Sequence, residues 1–294
     1  MSAIAFWGAV ELGLIFGFVA LGVFLAFRVL DFPDLTVDGS FPLGAATAAV
    51  AITAGVDPWT SLVIAAACGA ACGLVTAFLN VRFGILNLLA SILTMIALFS
   101  INLRVMGRPN MSLLNRDTVV SPFYDLGLPD HIVRPVVLLV LIVIAVLLLA
   151  RFLTSDFGLA MRAAGANPRM AQANGVNVGR QIYVGMAISN GLTGLAGALF
   201  AQIAGFADVT SGVGTIVVGL ASVIVGETLF RSRSMLIALF ACVIGSVIYR
   251  VAVQLALSAD FLFLKASDLN LVTAVLVTLA LILPKLRARR RAAQ

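Results

Sequence analysis

The sequence predicts an all-α polytopic membrane protein with about nine transmembrane or partly spanning helices, N-out/C-in, and one polar helical segment on the cytoplasmic side. Three observations carry this. The chain is 62% hydrophobic and only 11% charged, with a mean hydropathy of +1.12, far from the roughly 25% charged residues of a soluble domain. Its apolar residues fall into nine runs, at about 5–30, 41–56, 59–80, 84–106, 132–154, 181–204, 215–230, 235–257 and 270–284. Its basic residues are unevenly divided between the two sides those runs define. The 294 residues have room for about eight to ten spans of roughly 20 residues, so 1–294 is one transmembrane domain. The N-terminus has neither a basic region nor a small-residue cleavage site, and it is read as uncleaved.

Nine crossings put the termini on opposite sides. With the C-terminus inside, thirteen basic residues lie inside: Arg28, Arg82, Arg151, Arg162, Arg169, Arg180, Arg231, Arg233, Lys285, Arg287, Arg289, Arg290 and Arg291. Six lie on the outer side or in the outer half: Arg104, Arg108, Arg116, Arg134, Arg250 and Lys265. The bias favours N-out, C-in, against which the outer arginines near 104–134 form a counter-cluster.

After the first apolar run the chain reads Asp31-Phe-Pro-Asp-Leu-Thr-Val-Asp-Gly-Ser-Phe-Pro-Leu-Gly-Ala-Ala46. Carboxylates, hydroxyls and prolines interrupt what is otherwise membrane. Ser40 is placed to cap a following helix, with Pro42 in its first turn. Such a helix start presents N–H groups and a positive dipole end to an anion, either Asp38 or a substrate carboxylate. Asp34, Thr36, Asp38 and Ser40 are therefore candidate pathway residues, against the plainer reading of a solvated loop. The segment that follows, 41–56, and the later 215–230 have about 16 residues each, roughly 24 Å of helix against a core of about 30 Å. Short segments of this kind point to a cavity in transporters, or to helix ends in a curved core.

In the third run Cys68 and Cys72 share a helix face, which reads as helix packing, as do Gly69 and Gly73; a metal site would need more ligands. In the fourth, Asn87, Ser91 and Thr94 lie on one face. They either line a path or join helices through hydrogen bonds. The external stretch at about 107–131, rich in Pro, Asn and Asp, is too polar for its own core and would pack over the outer mouth or meet a soluble partner. His131, the only histidine, sits at a membrane boundary.

A loop at about 156–180 separates the fifth and sixth runs. Its 23-residue part from Gly158 to Arg180 is basic, rich in Ala and Gly and helix-compatible. It is too elaborate for a turn and is offered to a partner. Beyond it, Gly191, Gly194, Ala198, Ala201 and Gly205 repeat at three and four, a small face for close packing within the chain or across a dimer. Glu11 and Glu227, the only glutamates, are near or within apolar runs and are functional candidates on that ground; Glu227 also reads as an interface residue before Arg231 and Arg233.

Several function classes are excluded. The only lysines, Lys265 and Lys285, precede Ala266 and Leu286, so no P-loop Lys-Ser/Thr pair binds ATP and Mg²⁺ here. No nucleophile–base pair, carboxylate dyad or metal cluster assembles, and nothing suggests a nucleic-acid partner. The chain is expected to be a non-enzyme with no metal site and no cofactor of its own.

Asp34-Leu-Thr-Val-Asp-Gly-Ser40 before a Gly/Ala-rich helix resembles the motif of ABC importer permeases of the branched-chain amino acid and ribose type. Arg162-Ala-Ala-Gly-Ala-Asn-Pro-Arg-Met-Ala-Gln-Ala-Asn-Gly-Val176 is similar to that family's cytoplasmic loop. The Asn80–Thr94, Gly191–Gly197 and Val218–Gly226 runs follow its pattern too; Gly226-Glu227 departs from it, with a carboxylate where a small residue is expected. The resemblance implies a permease subunit in a bacterial inner membrane, paired with a second copy. It also implies two cytoplasmic ATPase subunits, holding ATP and Mg²⁺, and a periplasmic or lipid-anchored binding protein. The 156–180 loop would carry the coupling helix: Ala163, Ala164, Gly165 and Ala171 in the contact, Arg162 and Arg169 at its rim, and Asn167, Pro168, Asn174 and Gly175 shaping it. The motif wording is similar to permeases for aromatic or other amino acids; a sugar, nucleoside or vitamin would use the same hydroxyls and carboxylates. The rival class is an ion- or proton-coupled transporter titrating Asp34, Asp38 or Glu227.

Overall fold

The structure, a computed structural model, describes residues 3–126, 130–230 and 234–257, together with 275 and 278. The ninth apolar run at 270–284, Arg231, Arg233, Lys265, Lys285 and the C-terminal arginines lie outside the described residues, as does the side chain of His131. Seven helices among the described residues are long and apolar enough to cross a membrane, and an eighth apolar helix is shorter.

The first helix, α1 (Ala3–Val23), runs on as a π-helical stretch, Phe24–Val29. It is the central pillar: 78% of its most apolar window is buried. Phe18, Val19, Leu21 and Leu25 are all but inaccessible. After a short irregular stretch come α2 (Val37–Thr53), α3 (Pro58–Phe83) and α4 (Asn87–Met106). Asp57 caps α3 by accepting from Trp59 N at 3.0 Å, and Pro58 occupies the first position, where a missing N–H does no harm. α4 is only 28% buried over its window, and its apolar outer face, with Ile96 and Phe99, is left to lipid or to another chain.

α5 (Asp130–Leu153) leads to two short helices, α6 (Asp156–Ala166) and α7 (Pro168–Ala173), then α8 (Val178–Ala204), α9 (Thr215–Leu229) and α10 (Met235–Leu257). The basic loop is thus two helices. Ser155 caps α6, and Asn167 accepts from Met170 N at 3.1 Å to start α7 afresh. Of the two predicted short segments, α2 is short, with 17 residues, whereas α9, with 15, is extended at its start to a 21-residue apolar stretch, Val209–Leu229, long enough to cross. A 3₁₀ turn, Val209–Gly212, leads into α9.

α8 packs against both α2 and α3, and α10 against α1 and α9. The predicted small face is what lets α8 do so. A Cβ on Gly44 of α2 would collide with the Gly194 backbone, one on Gly69 with the Asn190 carbonyl and one on Gly73 with the Met186 carbonyl. That face is consumed inside the chain. Gly205 is not part of it: with φ of 76° it ends α8 in the left-handed region.

At the α4 and α8 ends the polar stretch that follows α4 is tied down. β1 (Asn110–Ser112) pairs antiparallel with β2 (Phe206–Asp208), Met111 opposite Ala207, and Val119 N donates to Gln202 Oε1 at 2.8 Å. Burial favours protonation of Asp208 there, but the Thr210 hydroxyl and N–H and the Asn110 amide outweigh it and hold the carboxyl below the ordinary range.

Candidate functional site

The irregular stretch between α1 and α2 forms a closed polar spine. Asp34 is fully buried. It accepts from Thr36 N at 2.9 Å and from Asn190 Nδ2 at 2.7 Å. Ser40 Oγ donates to Asn190 Oδ1 at 2.8 Å, and the Thr36 and Thr76 hydroxyls share a bond of 2.8 Å. α2, α3 and α8 are thus joined to the break by hydrogen bonds as well as by their glycines. In a span without water every such group must find an internal partner, and these do.

Two expectations are corrected here. Ser40 does not cap α2, which begins at Val37 with no side-chain cap; its hydroxyl is spent on Asn190. Nor does Asp38 serve its own helix. It crosses to α9, accepting from Gly214 N at 3.2 Å and Ile216 N at 2.8 Å. A carboxylate at a helix N-terminus satisfies orphan N–H groups and the dipole together. The anion expected at a broken helix is therefore supplied by the protein, and the helix it serves is α9.

On α4, Ser91 and Thr94 are buried, and Asn87 is half-buried. Ser91 and Thr94 donate back to carbonyls of their own helix, while Asn87 Oδ1 accepts from Asn80 Nδ2 at 2.6 Å. Asn102, one of the residues missed from sequence, donates to Gly39 O at 3.2 Å. Its place two turns beyond Thr94 on a polar stripe is the signal that could have found it. Among the described residues, none of the seven candidate pathway residues lines the three cavities found near α1, α5, α8 and α10.

The helices α6 and α7 present a different surface from the one expected. Ala164 and Ala171 are buried within the chain, and a Cβ on Gly165 would collide with the Val29 carbonyl at the end of the π-helical stretch. Gly165 thus seats α6 on the π-helical end of α1, while α7 packs against α6 and α8. The exposed surface is made by Arg162, Ala163, Asn167, Pro168, Arg169, Asn174 and Gly175, with Met170, 64% exposed, as its apolar centre. Arg180 lies over the Phe157 ring at 5.7 Å.

Glu227, the departure from the family pattern, pairs with Arg28. Arg28 Nε donates to Glu227 Oε1 at 2.7 Å and a second guanidinium nitrogen reaches the other oxygen, a bidentate clamp between the π-helical stretch and α9. Glu11 stands 4.0 Å from Arg134. Cys68, Cys72 and Cys242 are free thiols, and no cluster of metal-ligating residues is found among the described residues.

A family model described as branched-chain amino acid transport system / permease component matches residues 8–284. The chain is 39% identical over 265 residues to a tyrosine transport system permease protein of Clostridioides difficile (strain R20291), covering 90% of this chain and 86% of that one. It is 35% identical over 253 residues to an uncharacterized protein of Rickettsia prowazekii (strain Madrid E), covering 85% and 88%. It is 29% identical over 219 residues to the nucleoside ABC transporter permease protein NupC of Lactococcus lactis subsp. cremoris (strain MG1363), covering 66% of each. Among solved structures, PsaBC from Streptococcus pneumoniae in complex with Fab aligns with a TM-score of 0.49 at 16% identity, over 94% of this chain and 89% of that one.

Proposed function

The chain belongs to the family of branched-chain amino acid transport system permease components, and from that premise we propose that it is the membrane-spanning subunit of an ATP-driven importer for an amino acid, aromatic in the first instance. It works as a pair with a second copy in the bacterial inner membrane. Two ATPase subunits dock on the cytoplasmic side and a substrate-binding protein on the other. The absence of a P-loop lysine fits an external motor. The amino-acid cargo rests on the tyrosine-linked relative, and a nucleoside is the second reading because of the more distant one. Asp34 and Asp38, which an ion-coupled mechanism would titrate, are already committed to internal donors.

One observation carries the mechanism: Gly165 sits directly on the Val29 carbonyl. A displacement of α6 and α7 by a partner therefore reaches the end of α1 without an intervening side chain. α1 in turn is clamped to α9 by Arg28 and Glu227, and α9 to α2 by Asp38. A push on the coupling helices thus has a continuous route to both short helices, and the passage opens as the two copies rock apart.

Gly165→Trp is a poor test, because its ring would displace α6 itself. The exposed pair is better: Arg169→Glu with Met170→Asp removes the rim cation and the apolar anchor while touching nothing inside. In proteoliposomes holding the permease, its ATPase and its binding protein, this double variant should lower labelled-tyrosine uptake at least tenfold, with unchanged gel-filtration behaviour. Undiminished uptake would sink the docking surface. Uptake of uridine in place of tyrosine would move the cargo to the nucleoside reading.

A further inference from the structure

At the β1–β2 end, α1, α2, α8, α9 and α10 enclose a cavity of about 530 Å³, within the range that holds a small organic ligand. One wall is four phenylalanines in series. Phe16 stacks on Phe41 at 5.5 Å, Phe41 meets Phe200 at 5.6 Å, and Phe200 meets Phe206 edge-on at 6.1 Å. Arg250, about two turns before the end of the apolar α10, lines the same space. Its guanidinium lies 3.8 Å from the Phe16 ring centroid, and its Nε is buried without a hydrogen-bond partner. The two ion pairs found among the described residues, Arg28–Glu227 and Arg134–Glu11, do not involve it. The cavity's one carboxylate, Asp208, is committed to Thr210 and Asn110.

An arginine within a membrane span is costly, and such residues pair with one another or mark a functional site. Here the ring face of Phe16 takes one face of the guanidinium, which offsets part of the desolvation. Its in-plane donors are what ring stacking cannot satisfy, and a planar carboxylate matches them. The donors and the aromatic wall border one space, so an occupant that satisfies both has a carboxylate at one end and a flat apolar body at the other.

We propose that this cavity is a binding site for a small aromatic carboxylate, its acid group on Arg250 and its ring against Phe16, Phe41 and Phe200, with Phe206 beside the entrance. The aromatic-acid chemistry rests on the cavity alone; naming the occupant as an aromatic amino acid rests also on the cargo proposed above. Phe206 and Val213, the latter 75% exposed, put the opening on the side of the external strands, so the site fills from the face on which a binding protein would deliver its cargo.

The test uses full-length permease in nanodiscs of neutral phosphatidylcholine, with tritiated L-phenylalanine as probe. Saturable binding is expected, competed by L-tyrosine and by 3-phenylpropionate, which keeps ring and carboxylate. Phenethylamine, which lacks the carboxylate, and L-alanine, which lacks the ring, should not compete. Arg250→Gln should weaken binding at least tenfold and Arg250→Lys less. Phe206→Ala, at the edge of the bundle, should weaken it several-fold without any risk to folding. No saturable binding by the wild-type protein overturns the proposal, as does competition by phenethylamine equal to that of phenylpropionate. Loss of binding in nanodiscs containing phosphatidylglycerol overturns it in favour of a lipid headgroup. Import by the complete transporter is scored separately: tyrosine uptake without binding by the isolated permease leaves the importer reading standing and removes this site. Phenylpropionate binding with uptake of another cargo does the reverse.

Discussion

The polar spine around Asp34 and the aromatic cavity around Arg250 both place an ionisable side chain inside a membrane bundle, and they treat it in opposite ways. Asp34 has an internal donor for each carboxylate oxygen and borders none of the three cavities found among the described residues. Arg250 has a ring on one face, an unbonded Nε and open space in front. The first arrangement specifies a fold, since every group has one partner and one geometry. The second leaves a binding capacity unused. Burial alone does not separate a structural charge from a functional one; whether the hydrogen-bonding capacity is already consumed does.

The sharpest test of this contrast is Asp34→Ala. It leaves Thr36 N and the Asn190 amide without acceptors and is expected to destabilise by about 3 kcal/mol, two buried donors at roughly 1–3 kcal/mol each. Thermal unfolding in detergent would show it, and a neutral result would break the comparison. Asp38→Ala comes next, at about 2 kcal/mol for the lost charged cap of α9; its effect should appear as faster amide exchange at Gly214 and Ile216, with little change in α2. Arg250→Met sharpens the other side. Loss of the ring contact, about 1–2 kcal/mol, is opposed by relief of a buried charge, so the melting temperature should hold or rise. A fall as large as that of Asp34→Ala would make Arg250 structural.

The smallest effect is that of pH on Asp208. Its carboxyl is held below the ordinary carboxylate range, so its contribution is complete above the unfolded pKa and fades as pH falls through the lower folded value. Thr210 amide exchange, corrected for its intrinsic pH dependence, should lose protection only at that acidic end. Asp208→Asn should remove the dependence.

The fold was largely legible because its signals are local. Apolar runs gave the spans, the short runs at 41–56 and 215–230 gave α2 and α9, and the glycine spacing gave the packing face of α8. What was misread depended on partners far along the chain. Nothing near Asp38 says that it caps a helix beginning more than 170 residues later, and nothing near Gly165 says that it rests on Val29. Small residues in a loop read equally well as an outward contact or an inward one, and only the fold decides. Arg250 entered the sequence reading only as one of the outer basic residues; its aromatic wall, drawn from α1, α2, α8 and β2, was not legible there.

The backbone contacts among α2, α3 and α8 have a mechanical consequence. A layer of leucines can absorb an ångström of movement by changing rotamers, whereas a carbonyl seated against a glycine has nothing to rearrange. The three helices are therefore a stiff block, and any shape change during a cycle is confined to its margins. The π-helical end of α1 and the two short-helix starts are the places where the chain can bend.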